Sequence, residues 1–383
     1  MEPRIQLSPP SITPPGSSMI CYADDTLILA GGNDWGDALR EANIAVACAV
    51  RAIRSLDLAV AERKTETIFL YKKKKGMKPP QAQIRMGTVR VPIEAQMKYL
   101  GLTLDGTLCF KEHISRLVPR LRAVSANLCK LMPNIRGPDR KARHLHTGIL
   151  NSVALYGAPV WPEALVASRP LQALLRRAHR AVAVRVIRGY RTVSHVAATV
   201  LAGMPPLELL ALMYRNIYMR RGELMRTRDA SQTLAGVIQR MKHQARQLLL
   251  WRRQRPQENT RYGRRTVEAV HPCLQEWVNR GFGTLTFKMT HVLIGHGCFG
   301  EYLCRMGKES TAHCHQSDVD HDSAQDFPAW AAERGVVIRE LGHDLFLPTI
   351  VNAIMGSERK WGIFASFCEA VILQKEAAEE TRR

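Results

Sequence analysis

Two adjacent carboxylates, Asp24 and Asp25, interrupt an otherwise apolar stretch that runs from Met19 to Ala30. Asp is a poor strand residue and like charges repel, so the pair does not belong inside a strand. The pattern is satisfied if Met19-Ile20-Cys21 and Thr26-Leu27-Ile28-Leu29-Ala30 are the arms of a hairpin with Tyr22-Ala23-Asp24-Asp25 at its tight turn. Divalent cations would then neutralise the pair. Mg²⁺ takes hard oxygen ligands and keeps positions open for phosphate and water. A two-metal centre of that kind activates an attacking 3′-hydroxyl and stabilises a leaving pyrophosphate. Asp24 and Asp25 are thus candidate ligands of Mg²⁺ (or Mn²⁺). Such a site needs at least one further carboxylate from another strand. Residues 1–21 contain a single acidic residue, Glu2, so half a catalytic site is expected.

With 383 residues and 46% hydrophobic content, the chain is long enough for two or three small cores. Its 55 basic against 34 acidic residues give a net charge of +21. That excess favours a polyanionic partner, nucleic acid first. No run of about 18 apolar residues exists, so no membrane partner is expected. The N-terminus lacks the charged-then-apolar order of a signal peptide, and nucleus or cytoplasm is the implied setting rather than secretion. Nine cysteines in no framework spacing read as reduced thiols. No signal for an oligomeric state is present.

The pattern along the chain gives an α+β fold. Residues 1–18 are a Pro/Ser-rich, disordered start. Ala38, Ala42, Ala45, Val46, Ala49 and Ile53 recur at helical spacing and predict a helix over 37–58, capped by Asn33 or Asp34. Strands are predicted at Thr67–Tyr71, Gln83–Met86, Val89–Pro92 and Met97–Leu104, with Gly87 turning the middle pair. Residues 19–108 form the first domain. From 109 to 255 the pattern is helical: His113–Met132, bent or broken at Pro119, then Arg143–Tyr156, a stripe from Leu171 to Val186, Pro206–Tyr218 and Ile238–Trp251. Arg177, Arg180, Arg185 and Arg188 share another side of the third of these patterns and are candidate phosphate contacts, as is the tract Arg252–Arg265 further on. A C-terminal module occupies 256–383, with helices at Phe346–Met355 and Trp361–Glu380.

Several segments in order resemble one family. Pro14-Pro15-Gly16 through Tyr22-Ala23-Asp24-Asp25-Thr26-Leu27 is similar to the third active-site motif of reverse transcriptases from non-long-terminal-repeat (LINE-like) arthropod retrotransposons. Lys64-Thr65-Glu66 resembles the next motif, and Lys98-Tyr99-Leu100-Gly101 the primer-grip motif. Gly189-Tyr190-Arg191-Thr192-Val193-Ser194 and Ala202-Gly203-Met204-Pro205-Pro206 resemble the post-polymerase region, and His296-Gly297-Cys298-Phe299-Gly300 with Tyr302-Leu303 the segment before the family's C-terminal zinc knuckle. The resemblance implies a partial polymerase palm over 19–108, a helical thumb or connection region, and a terminal module. It implies RNA-directed DNA synthesis, with an RNA template and a DNA primer as partners. In those terms Asp24 and Asp25 bind metal, Tyr22 and Ala23 lie near the primer end or incoming nucleotide, and Lys64 protonates or positions pyrophosphate. Gly101 lets backbone approach the primer, while Tyr99 and Leu100 support that hairpin.

Departures from the family set further expectations. Its fingers and the first palm motif with its Asp have no counterpart here, so the chain is expected to be unable to polymerise alone. The family's zinc knuckle also looks degenerate. Cys314 is present, but Ser317 stands at the second Cys position and the later His and Cys are lost before Pro328-Ala329-Trp330. Cys314 with His313, His315 and His321 is a poor substitute for a four-ligand tetrahedral site, so bound Zn²⁺ is not expected.

Overall fold

The computed structural model describes residues 14–72, 77–227, 236–245, 263–297, 299–307, 310 and 331–381. The chain is α+β and divides into two compact units, residues 1–115 and 116–383. All strands among the described residues lie in the first unit, and the second is helical.

In the first unit, β1 (Ser17–Tyr22) and β2 (Asp25–Ala30) form the expected hairpin, with Tyr22 opposite Asp25. Helix α1 (Trp35–Arg54) follows, and Asp34 is its cap, accepting a hydrogen bond from the Asp37 amide at 2.8 Å. Ala45 and Ala49 are its buried residues; such short side chains let a helix sit close to what it covers. Asn43 ties α1 to the sheet by accepting from the Arg85 amide at 2.7 Å. That sheet has the order β3 (Thr67–Ile68), β5 (Val89–Glu94), β4 (Gln83–Met86), with β3 parallel and β4 antiparallel to β5. Strand pairing stops at Ile68, short of the Tyr71 expected. Phe69 and Tyr71 instead meet the edge of Trp35, with ring centroids 4.9 and 5.6 Å away.

The single strand expected over 97–104 is in fact a second hairpin, β6 (Gln96–Tyr99) and β7 (Leu102–Asp105). Leu100 and Gly101 form its two-residue turn with φ of +45° and +78°. Positive φ at both central positions matches strand twist in a type I′ turn. The apolar run hid that turn because Leu, not Asn or Asp, occupies its first position.

The division between the units falls within α2 (Lys111–Leu131). That helix continues through Pro119, so of the bend or break expected there the break does not occur. Pro119 lies on the exposed side, where water can take the carbonyl that its missing N–H leaves without a partner. Next come α3 (Arg140–Ala154), α4 (Pro162–Val166), α5 (Arg169–Val186), α6 (His195–Leu201), α7 (Leu207–Thr227) and α8 (236–245). The remaining helices are α9 (Arg264–Val270), α10 (Leu274–Asn279), α11 (Phe287–Ile294), α12 (Gly300–Arg305), α13 (Ala331–Leu341), α14 (Leu347–Ile354) and α15 (Glu358–Thr381). Leu171, Leu175, Ala178, Val182 and Val186 of α5 are buried at the predicted helical spacing. Trp161, Trp277, Leu165, Ile187 and Phe364 fill out the core.

The linker expected at 255/256 separates stretches that belong to one compact unit. Trp277 donates its indole N–H to the Leu201 carbonyl at 3.0 Å, and Thr290 donates to that of Ile187. Arg140 donates to the carbonyls of Arg280 and Val278. Of the start expected to be disordered over 1–18, Ser17 and Ser18 instead belong to β1, paired with Ala30 and Leu29, and residues 1–13 lie outside the described residues. The tract Arg252–Arg261 and the degenerate knuckle with Cys314, His315 and His321 also lie outside them. No helix among the described residues is long and apolar enough to cross a membrane.

Candidate active site and basic surface

The β1–β2 turn places Ala23 and Asp24 at its tip, with Asp25 opening β2. Ala23 has φ +53°, a region where glycine is free and alanine is strained. Asp24 and Asp25 are both exposed and side by side. On the opposite strand Tyr22, at 55% exposure, stands in the outward-facing set with Ile20. Replacing Ala23 by Gly is expected to raise the stability of the first unit by about 0.5–1 kcal/mol, readable as a higher midpoint in thermal melts. A lower midpoint would show that the turn is not strained.

Three of the sequence motifs are linked pairwise. The Asp25 carboxylate lies close enough to Tyr99 to act on its phenol, whose pKa is raised by burial first, then by the negative charge of Asp25 and by Cys21. Tyr99 ends β6, and the Leu100-Gly101 turn follows immediately. One residue earlier, the Lys98 amide donates to the Glu66 carboxylate at 2.7 Å. Glu66 thereby joins the Lys64-Thr65-Glu66 motif to β6. Lys64 itself is exposed at the end of a short 3₁₀ turn, Glu62–Lys64. The connecting Glu66 is a residue the sequence reading had assigned no role. Its carboxylate is charged and its neighbour Lys64 is basic, and neither fact signals a bond to a backbone amide 32 residues away.

Chemically, two exposed adjacent carboxylates suit a hard, oxygen-seeking cation and fit Mg²⁺ or Mn²⁺ in donor type. They do not complete a site: among the described residues no group of three or more His, Cys, Asp or Glu is placed to hold a metal ion. Asp105, the carboxylate at the end of β7, is committed elsewhere. It accepts from the amides of Thr107, Cys109 and Phe110 and from the Thr107 hydroxyl. Partial burial opposes ionisation, but those bonds outweigh it and hold the Asp105 pKa below the usual carboxylate value.

The four arginines singled out in the sequence, three on α5 and Arg188 just beyond its end, divide by what they touch. Arg177 is exposed. Arg180 instead donates to the carbonyls of Val193 and Arg191, and Arg185 to the Asn134 side chain at 3.1 Å. Arg188 donates to the carbonyls of Arg136 and Pro138 at 3.0 and 3.1 Å. Burial lowers the pKa of Arg180 and of Arg188. These three guanidinium groups hold loops, a role the shared helix side did not reveal. Beside them sits Arg143 of α3, only 1% exposed and not noticed in the sequence. It donates to the carbonyls of Pro133, Arg136, Pro138 and Arg185.

The first post-polymerase segment also meets the segment that resembles the one before the family's zinc knuckle. Tyr190 stacks on His291 with ring centroids 4.1 Å apart. The Thr192 hydroxyl lies 3.2 Å from His296 Nδ1, a residue 104 positions on, and accepts from the Tyr302 hydroxyl at 3.1 Å. His296 stacks on Tyr302, and Arg305 lies over the same ring.

Comparison with known proteins gives a consistent set of relatives. A 115 kDa protein of the type-1 retrotransposable element R1DM of Drosophila melanogaster is 25% identical over 379 residues, 95% of this chain. The chain spans 36% of that relative's length. The Retrovirus-related Pol polyprotein from type-1 retrotransposable element R1 4 of Nasonia vitripennis is 25% identical over 88% of this chain and 90% of its own. A second Nasonia Pol polyprotein, from element R1 2, is 25% identical over 80% of this chain and 76% of its own. No protein-family model and no solved structure matches the chain.

Proposed function

For a chain whose homologues are Pol polyproteins of LINE-like arthropod R1 retrotransposable elements, we propose a part in RNA-directed DNA synthesis. In this reading the first unit is part of a polymerase palm and the second is a thumb-like body that grips template and primer. The observation that carries it is the chain of links between the motifs: the Lys98 amide bonds Glu66, and the next residue, Tyr99, feels the charge of Asp25. Asp24 and Asp25 hold Mg²⁺ or Mn²⁺, which when bound supplies charge neutralisation for phosphoryl transfer. Tyr99, with the Leu100-Gly101 turn, positions the primer strand against the β1–β2 turn. Lys64, an exposed cation on a segment tied to β6 through Glu66, donates its proton to, or holds, the leaving pyrophosphate. Working in nucleus or cytoplasm, where RNA template and DNA primer are found, is part of the same reading.

A further part of the proposal is that this chain does not polymerise by itself. Two carboxylates leave metal ions under-coordinated, and Asp34, Asp37, Glu62, Glu66 and Asp105 of the first unit are engaged in caps, ion pairs or loop bonds. Two measurements test the two parts separately. With Fe²⁺ in place of Mg²⁺, plus ascorbate and peroxide, the polypeptide of the primer–template complex is expected to be cut near residues 22–26 and 98–101. Asp24→Asn with Asp25→Asn should abolish those cuts; an unchanged cleavage map would remove the hairpin from the metal site. Primer extension on an RNA template with Mg²⁺ is expected to be silent. Template-dependent incorporation that disappears in Asp24→Ala would overturn the claim of incompetence.

A further inference from the structure

Helix α7 outruns the body it packs on. In its first half Leu207, Leu210, Ala211 and Met213 are buried. The same face continues at helical spacing as Tyr214, Tyr218, Arg221 and Met225, at i, i+4, i+7 and i+11. There it is open: Tyr214 is 41% exposed, Tyr218 62% and Met225 53%. Arg220, Arg221 and Arg226 are exposed around it, while Arg215 at its foot pairs with Glu163. A core-facing stripe has thus become an exposed row of aromatic and cationic side chains.

We propose that this half of α7 is a contact for single-stranded nucleic acid, with bases stacked on Tyr214 and Tyr218 and phosphates paired with Arg220, Arg221 and Arg226. The chemistry of the stripe selects the occupant. An apolar protein helix laid here would desolvate Arg221 in mid-stripe, which is costly without a carboxylate opposite. A polyanion neutralises that charge, and every nucleobase offers a face to a tyrosine ring. The net charge of +21 favours the same class of partner. The inference rests on the nucleic-acid part of the proposed function. It assigns a site on the second unit, separate from the hairpin of the first.

The test uses the full chain and fluorescein-labelled 20-nucleotide oligouridylate and oligothymidylate, titrated by anisotropy across a salt series. Wild type is expected to bind both with steep salt dependence. Tyr214→Ala with Tyr218→Ala should weaken binding about tenfold or more, on the order of what the loss of one or two stacked bases does. Tyr218→Trp should bind as wild type and Tyr218→Leu should not. Arg221→Gln should flatten the log–log salt slope by about 0.7. Asp24→Ala with Asp25→Ala should bind as wild type, so failure of the hairpin reading leaves this result intact. Absence of binding at low salt, a double tyrosine variant within twofold of wild type, or Tyr218→Leu equal to wild type would each overturn the proposal. So would a double variant that changes the sedimentation of the protein without nucleic acid, which marks a protein-docking face. Thermal melts matching wild type confirm that the tyrosine variants are folded.

Discussion

Replacing Arg143 by Met is expected to destabilise the second unit by about 3–5 kcal/mol, the range for removing a buried, fully hydrogen-bonded charge. For a body of this size that is a fall in melting temperature of roughly 10 °C or more. The effect comes from the groups left behind. Pro133, Arg136 and Pro138 belong to the loop between α2 and α3, and their carbonyls all receive Arg143 donors. Its fourth acceptor, the Arg185 carbonyl, lies in the last turn of α5, where the helix dipole is negative. No carboxylate is among these partners. Burial lowers the Arg143 pKa to about 10, and the nearby Arg188 and Arg185 add to the shift. Met fills the volume and leaves every one of those oxygens dry. Lys retains charge but reaches fewer acceptors, so Arg143→Lys should fall between. A melting temperature unchanged in Arg143→Met would show that the carbonyls find water.

Acidification is the second large effect. Burial lowers His144, His291 and His296 to about 4 each, with further contributions from Arg140 and Arg280, from His296, and from Arg305 respectively. The unfolded chain protonates these side chains near pH 6.5, well before the folded one does. Between those values the unfolded state binds more protons, so stability falls as pH drops from 6.5 towards 4. His144 and His296 are partly reached by solvent while His291 is only 1% exposed, and a discounted loss of about 1–2 kcal/mol per histidine is expected by pH 4. Urea titrations from pH 7 to 4.5 should show a steady loss, and His144→Gln should shallow it by about a third. Stability that stays flat from pH 7 to 5 would refute the assignment.

The hairpin, α1 with its Asp34 cap, and the β4–β5 pair were legible because each is written locally. Turn residues, alternation and a side-chain cap lie within a few positions of one another. The Leu100-Gly101 turn was not legible, since an apolar residue at φ +45° leaves no polar signal. Nor was Pro119 a reliable break, because its effect depends on whether solvent reaches the freed carbonyl. Of the site, Asp24, Asp25 and the motif order could be read directly, whereas the Glu66–Lys98 bond is a long-range pairing invisible to periodicity. Arg180, Arg185 and Arg188 show the converse failure. Helical spacing put all three on one helix side, yet α5 ends at Val186 and Arg188 lies beyond it with φ +57°. Nor does spacing tell a phosphate-facing guanidinium from one that laces a loop through its carbonyls.

The Thr192, His296 and Tyr302 cluster has a consequence for how such chains change over time. Its members come from two segments whose polar groups complete one another, so neither segment drifts freely. A lineage that exchanges sequence between Ser194 and Arg264 inherits a threonine fitted to another copy's histidine and tyrosine. Compatible halves therefore have to travel together, and pairs of replacements at 190–192 and 291–302 should be found jointly in descendants that still fold.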